Sequence, residues 1–161
     1  MNAHSTPARL LLSWADVAEA LDVLISRSQR SLCVLDLDLR LQGWERKARI
    51  EALRQSIVER SVRVRILVAD LRYLESHLAR LAQLAADRSG HIEIVESDRT
   101  HELSTAFAVA DGQHGLVRPD PLRSRGLAWF ENLYKSNTYE EIFESFWNSG
   151  GRRYFPETLG L

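Results

Sequence analysis

Trp14, Val17, Leu21, Leu24 and Ser28 recur at spacings of three and four residues, which predicts a helix from about Ser13 with one stripe turned to a core. Ser13 followed by Asp16 marks its start. The period then changes. Ser31 to Asp38 (SLCVLDLD) is first continuously apolar and then alternates, the pattern of a strand buried on both faces that emerges at its C-terminal end. Alternation puts Leu35, Leu37 and Leu39 on one face and Asp36, Asp38 and Arg40 on the other. Gly43 opens a second helix to about Arg60, with Ile50, Leu53 and Ile57 at the helical period. Val62 to Val68 alternates again and Asp70 closes it. Strand, helix and strand in this order make a βαβ unit with parallel strands. Asp36 and Asp70 therefore share the C-terminal edge of the sheet, where ligands of open α/β sheets bind.

Leu71, Leu74, Leu78, Leu81 and Ala85 predict a third amphipathic helix ending near Ser89 and Gly90. His91 to Glu96 resumes the sheet. Asp111-Gly112, between Thr105–Ala110 and Gln113–Arg118, predicts a hairpin that Pro119 and Pro121 end. Gly126 to Glu131 reads as a further short strand. Thr138 to Asn148 reads as a closing helix, with Thr138 and Glu141 as a capping box and Ile142, Phe143, Phe146 and Trp147 turned inward. The expectation is a loose lead over residues 1–12, a single α/β domain over 13–149 and a tail over 150–161. The domain is a mixed β-sheet flanked by helices on both faces, with an N-terminal βαβ unit and a C-terminal hairpin plus helix.

Composition narrows the class without changing this picture. The chain has 161 residues, 45% hydrophobic and 27% charged, a size at which folding buries about 70% of the unfolded surface. Its single cysteine, Cys33, lies in an apolar run and reads as a small buried hydrophobe of a reducing, cytoplasmic compartment. No membrane span is expected, and no metal or other cofactor. The net charge of −1 hides an uneven distribution, because Arg40 to Arg65 alone carries +5. A basic helical face suits phosphate groups or an acidic partner, yet apart from Trp44 it lacks the interleaved aromatics that stack single-stranded nucleic acid.

Two segments suggest chemistry. Val34-Leu35-Asp36-Leu37-Asp38 resembles the nucleophile motif of haloacid dehalogenase-like phosphotransferases. Leu39-Arg40 follows in place of a small hydrogen-bonding pair, and the chain's two lysines, Lys47 and Lys135, stand without the matching acidic pair. These carboxylates read as solvated strand ends. The second segment, Ser104 to Pro121 (STAFAVADGQHGLVRPDP), resembles, together with the βαβ half before it, one half-domain of the phospholipase D superfamily. That family's signature is His-x-Lys, four residues, Asp, then a turn, a strand and Gly-Ser-x-Asn. Asp111 aligns with the motif Asp, Ser104 falls at the histidine, Ala106 at the lysine, and Arg118, Pro119, Asp120 and Pro121 at the ending. Ser31–Asp38 and Val62–Asp70 resemble the family's first two strands and Phe143–Trp147 its closing helix, so the resemblance spans about residues 13–149.

The resemblance implies a phospholipase D-like fold and a paired arrangement of two halves, hence a homodimer; its interface would use a sheet edge and Trp129, Phe130, Phe143 and Trp147, unless these aromatics belong to the core. It also implies that hydrolysis is absent, since Ser104 has no base to activate it and Ala106 offers no charge. His101 falls on the opposite side of an extended segment from Ser104. His114 lies beyond the turn and is expected at the surface, as are His4, His77 and His91. The expected function is a non-catalytic binding or dimerisation module for a phosphorylated ligand, a nucleic acid or a protein partner, with Ser104, Asp111, Arg118, Asp36 and Asp70 as the binding residues. Arg118, with Arg123 and Arg125, offers bidentate donors to a phosphate. The alternative is a phosphodiesterase or phosphotransferase with a rearranged site drawn from Ser104, Asp111, His101, Asp36 and Asp70. Asp111-Gly112 is also simply what a tight turn requires.

Overall fold

A computed structural model describes residues 7–156. Its centre is one eight-stranded mixed sheet. The expected first strand is β2 (Ser31–Asp36), with β1 (Arg9–Leu11) forming earlier, inside the expected lead. β3 (Arg63–Val68) and β4 (Ile92–Ser97) lie parallel to β2 on one side. On the other side β5 (Ala106–Ala110) and β6 (His114–Arg118) form the expected antiparallel hairpin, and β7 (Gly126–Trp129) and β1 extend it. β8 (Gly151–Arg153) pairs antiparallel with β4, so the expected tail also contributes a strand. The remainder of the lead and tail, residues 1–6 and 157–161, lies outside the described residues.

Among the described residues five α-helices cover the two faces: α1 (Trp14–Arg27), α2 (Lys47–Arg60), α3 (Arg72–His77), α4 (Ala79–Asp87) and α5 (Leu133–Asn148). The Ser13 side chain caps α1 as expected, accepting the N–H of Asp16 at 3.1 Å. Val17, Leu21, Leu24 and Ile25 of α1 pack with α2, α3 and α4 on Leu32, Val34, Val64 and Ile66 of one sheet face. Phe143 and Phe146 of α5 cover Cys33, Leu35, Phe107 and Trp129 on the other. Among the described residues no helix is long and apolar enough to cross a membrane.

Several boundaries depart from expectation. The single helix expected from Leu71 to near Ser89 and Gly90 is two, because Leu78 leaves helical geometry (φ −110°, ψ 54°) and its side chain is buried in the core. The closing helix begins five residues earlier than expected and is capped by Asn132, whose side chain accepts the N–H of Lys135 at 3.0 Å. Ile142, expected inward, is exposed, and of the aromatics left open between a dimer interface and the core, Trp129 and Phe143 are core. Leu39 also leaves the Leu35 face. The strand ends at Asp36, Leu39 turns with φ 70°, and its side chain joins the opposite cluster.

Cys33 is buried, and burial pushes its thiol up to about 11, so the sulfur stays protonated. Arg65 reaches it at 3.4 Å, pairs with Glu144 and lies over the rings of Phe143 and Trp147. His114 is buried where exposure was expected. Its Nδ1 accepts the N–H of Glu131 at 3.0 Å, and burial together with Arg27 holds the imidazole below its ordinary range. The native state therefore binds this proton less readily than the unfolded chain. The stabilisation is full above the unfolded pKa of about 6.5 and is lost as pH falls from there through the folded value. Urea melts at pH 7.5 and 5.5 should accordingly show a larger loss of stability for the wild type than for His114→Gln, and equal losses would refute the neutral, buried imidazole.

Candidate functional site

Asp36 ends β2 at the C-terminal edge of the sheet, on the face covered by α1 and α2. Arg118 ends β6 two strands away. The register puts Ala106 opposite Arg118, and Phe107 opposite Leu35, so Ala106 lies on the cross-strand row between Arg118 and Asp36. Strands are spaced about 4.8 Å apart, which leaves roughly 10 Å between the outer two backbones. A methyl group at 106 leaves the Arg118 side chain room to span that gap.

The span ends in a closed pair. Arg118 Nη2 donates to Asp36 Oδ1 at 2.7 Å, and both side chains are almost wholly buried (1% and 5% exposed). Gln42 Nε2 donates to the same oxygen at 2.8 Å. The backbone N–H groups of Leu39 (2.7 Å) and Asp38 (3.3 Å) donate to Oδ2. On balance burial raises the Asp36 carboxyl above its ordinary range, against the downward pull of Arg118 and these N–H groups. Four donors meet its two oxygens, which is the bonding pattern of the ionised form. Arg118 Nη1 donates to the carbonyls of Pro121 (2.6 Å) and Arg123 (3.1 Å), and Trp14 covers the guanidinium at 4.9 Å.

A loop beyond β2 completes the enclosure. Trp44 Nε1 donates to Gln42 Oε1 at 3.0 Å, and Arg49 donates to the Gln42 carbonyl, to the Ala18 carbonyl at 3.1 Å and to Asp22 at 2.7 Å. Gln42, Trp44 and Arg49 are all buried. None was a candidate from sequence. The available signals were Trp44 itself, a large aromatic in a polar loop, and Arg49, placed one residue before the apolar stripe of α2.

The other sequence candidates lie apart from this pair. Asp70 follows β3 by two residues at the same edge, as expected, but its carboxylate is held by the Arg72 side chain (2.6 Å) and backbone N–H (2.8 Å), which lower it from the ordinary carboxylate range. Ser104 is exposed just before β5, and His101 is exposed in a short 3-10 turn, Thr100–Glu102. Asp111 is at the opposite edge of the sheet. There it accepts the backbone N–H groups of Gln29 (2.8 Å), Arg30 (2.8 Å) and Ser31 (3.0 Å), and its own φ is 56°. This carboxylate fastens the entry of β2 to the β5–β6 turn, a structural task that a turn residue of positive φ performs well. Asp111→Ala should lower stability by about 2 kcal/mol, a fall in Tm of roughly 4–8 °C, because three N–H groups lose a charged acceptor. An unchanged Tm would show those donors content with water.

Six of the eight basic residues of the Arg40–Arg65 stretch have partners within the fold. Arg40 pairs with Asp38, Arg49 with Asp22, Arg54 with Asp87, Arg63 with Glu93 and Arg65 with Glu144, while Arg60 donates to the Ser28 carbonyl. Among the described residues no group of three or more His, Cys, Asp or Glu side chains is placed to hold a metal ion.

A mixed eight-stranded sheet with helices on both faces is the fold seen in phospholipase D family members. Nuc from Salmonella typhimurium, described as a phospholipase D family member, superposes with a TM-score of 0.59 at 14% identity, over 92% of this chain and 99% of that one. NucT from Helicobacter pylori gives 0.59 at 10% identity, over 91% and 98%. TrmBL2, an archaeal chromatin protein described as showing a novel mode of DNA binding, gives 0.69 at 11% identity, over 94% of this chain and 56% of its own. The chain thus spans little more than half of TrmBL2. No curated protein matches the sequence. The chain belongs to the family described as Domain of unknown function (DUF7931), whose model matches residues 13–154.

Proposed function

We propose that this chain is a non-catalytic phospholipase D-like domain that acts by association with another polypeptide, in the simplest case a second copy of itself. The observation that carries this reading is the closed pair of Asp36 and Arg118. Displacement at phosphorus needs an activated nucleophile and a cation for the developing charge. At the two positions aligned with the motif histidine and lysine stand exposed Ser104 and buried Ala106. Arg118 brings a cation to the row of Ala106, but its donors are directed at Asp36 and at two carbonyls. A phosphate entering there would have to separate a buried ion pair, at a cost of several kcal/mol.

Association is supported by the rim beside β1. Arg9 is paired with Asp16 and Glu19, and the neighbouring Leu10, Leu12 and Leu122 are 51%, 64% and 70% exposed. Leu10 sits beside half-buried Leu127 on the α5 face. An exposed apolar rim at the edge of a sheet, here with exposed Arg125 next to it, is a surface that a second copy can cover across a two-fold axis. At the other edge β8 carries Arg152 and Arg153.

The test is size-exclusion chromatography with light scattering on the wild type and on Leu10→Glu and Leu12→Glu, beside a phosphodiester hydrolysis assay and a thermal-shift series with phosphate, nucleotides and DNA. A dimer that the glutamate variants dissociate, with no hydrolysis, is the expected result. A monomeric wild type would overturn self-association. Hydrolysis abolished by Ser104→Ala would establish the rearranged active site instead. A ligand present at 100 times its Kd would stabilise the protein by about 2.7 kcal/mol. Such a shift with DNA would make the domain a nucleic-acid binder, as the chromatin protein of the same fold is described to be.

A further inference from the structure

Among the described residues two buried side-chain polar atoms have no hydrogen-bond partner, Glu45 Oε2 and Arg118 Nε. Glu45 is bound through its other oxygen to Arg80 at 3.0 Å, and its side chain is 42% exposed. Arg118 has no such relief, since its side chain is only 1% exposed. Beside it lies a cavity of about 10 Å3, bounded by Val17, Leu21, Ala108 and Leu116 and, as its polar members, by Arg118 and Gln42. That volume admits one non-hydrogen atom's worth of ligand, the size of a single water molecule.

The chemistry of the walls narrows the occupant. Nε–H is a donor, so the occupant presents an acceptor. A cation is disfavoured by the guanidinium, and an anion by the ionised Asp36 that the same guanidinium holds at 2.7 Å. An apolar atom would leave the donor unpaired in a dry site. Gln42 Oε1 already accepts from Trp44 at 3.0 Å and keeps a second lone pair for one more donor. A neutral group that accepts on one side and donates on the other satisfies both walls. We infer that this cavity is a binding site for one resident water molecule, which accepts from Arg118 Nε and donates to Gln42 Oε1. The water is then a structural member of the buried cluster of Asp36, Arg118, Gln42 and Trp44, and it completes the guanidinium's bonding where no protein acceptor reaches.

A crystal structure at a resolution that orders internal solvent should show a density peak about 2.7–3.2 Å from Arg118 Nε. In solution, the assigned Arg118 Nε–H proton should give a cross-relaxation peak with water, of the sign that marks a long-lived molecule. Val17→Ile, which adds one methyl group at the cavity wall, should abolish both signals while leaving the circular dichroism spectrum unchanged. An empty cavity, a protein acceptor on Nε, an assigned Nε–H with no water peak, or signals unaltered in a folded Val17→Ile would each overturn the site. These readouts do not depend on what the domain associates with.

Discussion

Asp36→Ala is expected to destabilise the protein by about 3–5 kcal/mol, the largest effect of any single polar substitution, because it strands Arg118 as an unpaired charge in the interior. The loss is a large share of the 5–15 kcal/mol that typically holds a domain together. Three further donors lose their acceptor in the same step: the Gln42 amide and the N–H groups of Leu39 and Asp38. Arg118→Met removes the charge and instead orphans the carbonyls of Pro121 and Arg123 along with Asp36. Because each single variant leaves the other charge buried, the double variant should be less destabilised than the sum of the two, by a coupling of about 1–3 kcal/mol. Urea unfolding of the four proteins measures it. A loss under about 1 kcal/mol for Asp36→Ala, or additivity of the pair, would mean that water reaches this edge of the sheet. It would also remove the main objection to a phosphate site there.

The second large effect is expected at Trp129, where Trp129→Ala should cost about 3–5 kcal/mol. The indole is 1% exposed, stacks on Tyr139 at 5.3 Å, lies under Lys135 at 5.5 Å and donates to the buried Ser136 hydroxyl at 2.8 Å. It fits because its cross-strand neighbour is Gly115. A Cβ built at 115 would stand 2.3 Å from indole Cζ2 and 2.8 Å from the Ala108 carbonyl oxygen. Gly115→Ala alone should therefore cost about 1–3 kcal/mol by overpacking. In the Trp129→Ala background its cost should shrink, since the indole clash is gone and only the backbone contact remains. Chemical denaturation of this second cycle decides the point. If Gly115→Ala costs the same in both backgrounds, the strain comes from the Ala108 carbonyl alone and the indole does not rest on the glycine.

Local periodicity was enough to predict β2, β3, β5 and β6 and the stripes of α1 and α2, because each of these elements buries a face whose period is written in consecutive residues. The parallel pairing that brings Asp36 and Asp70 to one edge followed from the same strings. Features set by partners distant in sequence were not legible. β1 and β8 are three residues each and exist because β7 and β4 offer them hydrogen bonds. His114 is buried because the Glu131 N–H comes to its ring, seventeen positions later in the chain. The candidate site divides the same way. By itself the sequence determined that a serine and an alanine stand where the resembled motif has histidine and lysine, and that carboxylates end the first two strands of the βαβ unit. Only the tertiary structure decided that Asp111 serves the opposite edge, and that Arg118 spends its charge on Asp36, 82 residues away, across a methyl side chain. Burial makes that choice, because a charge removed from water must find its partner inside the fold, and which partner lies within reach depends on strand order and register rather than on neighbours in the chain.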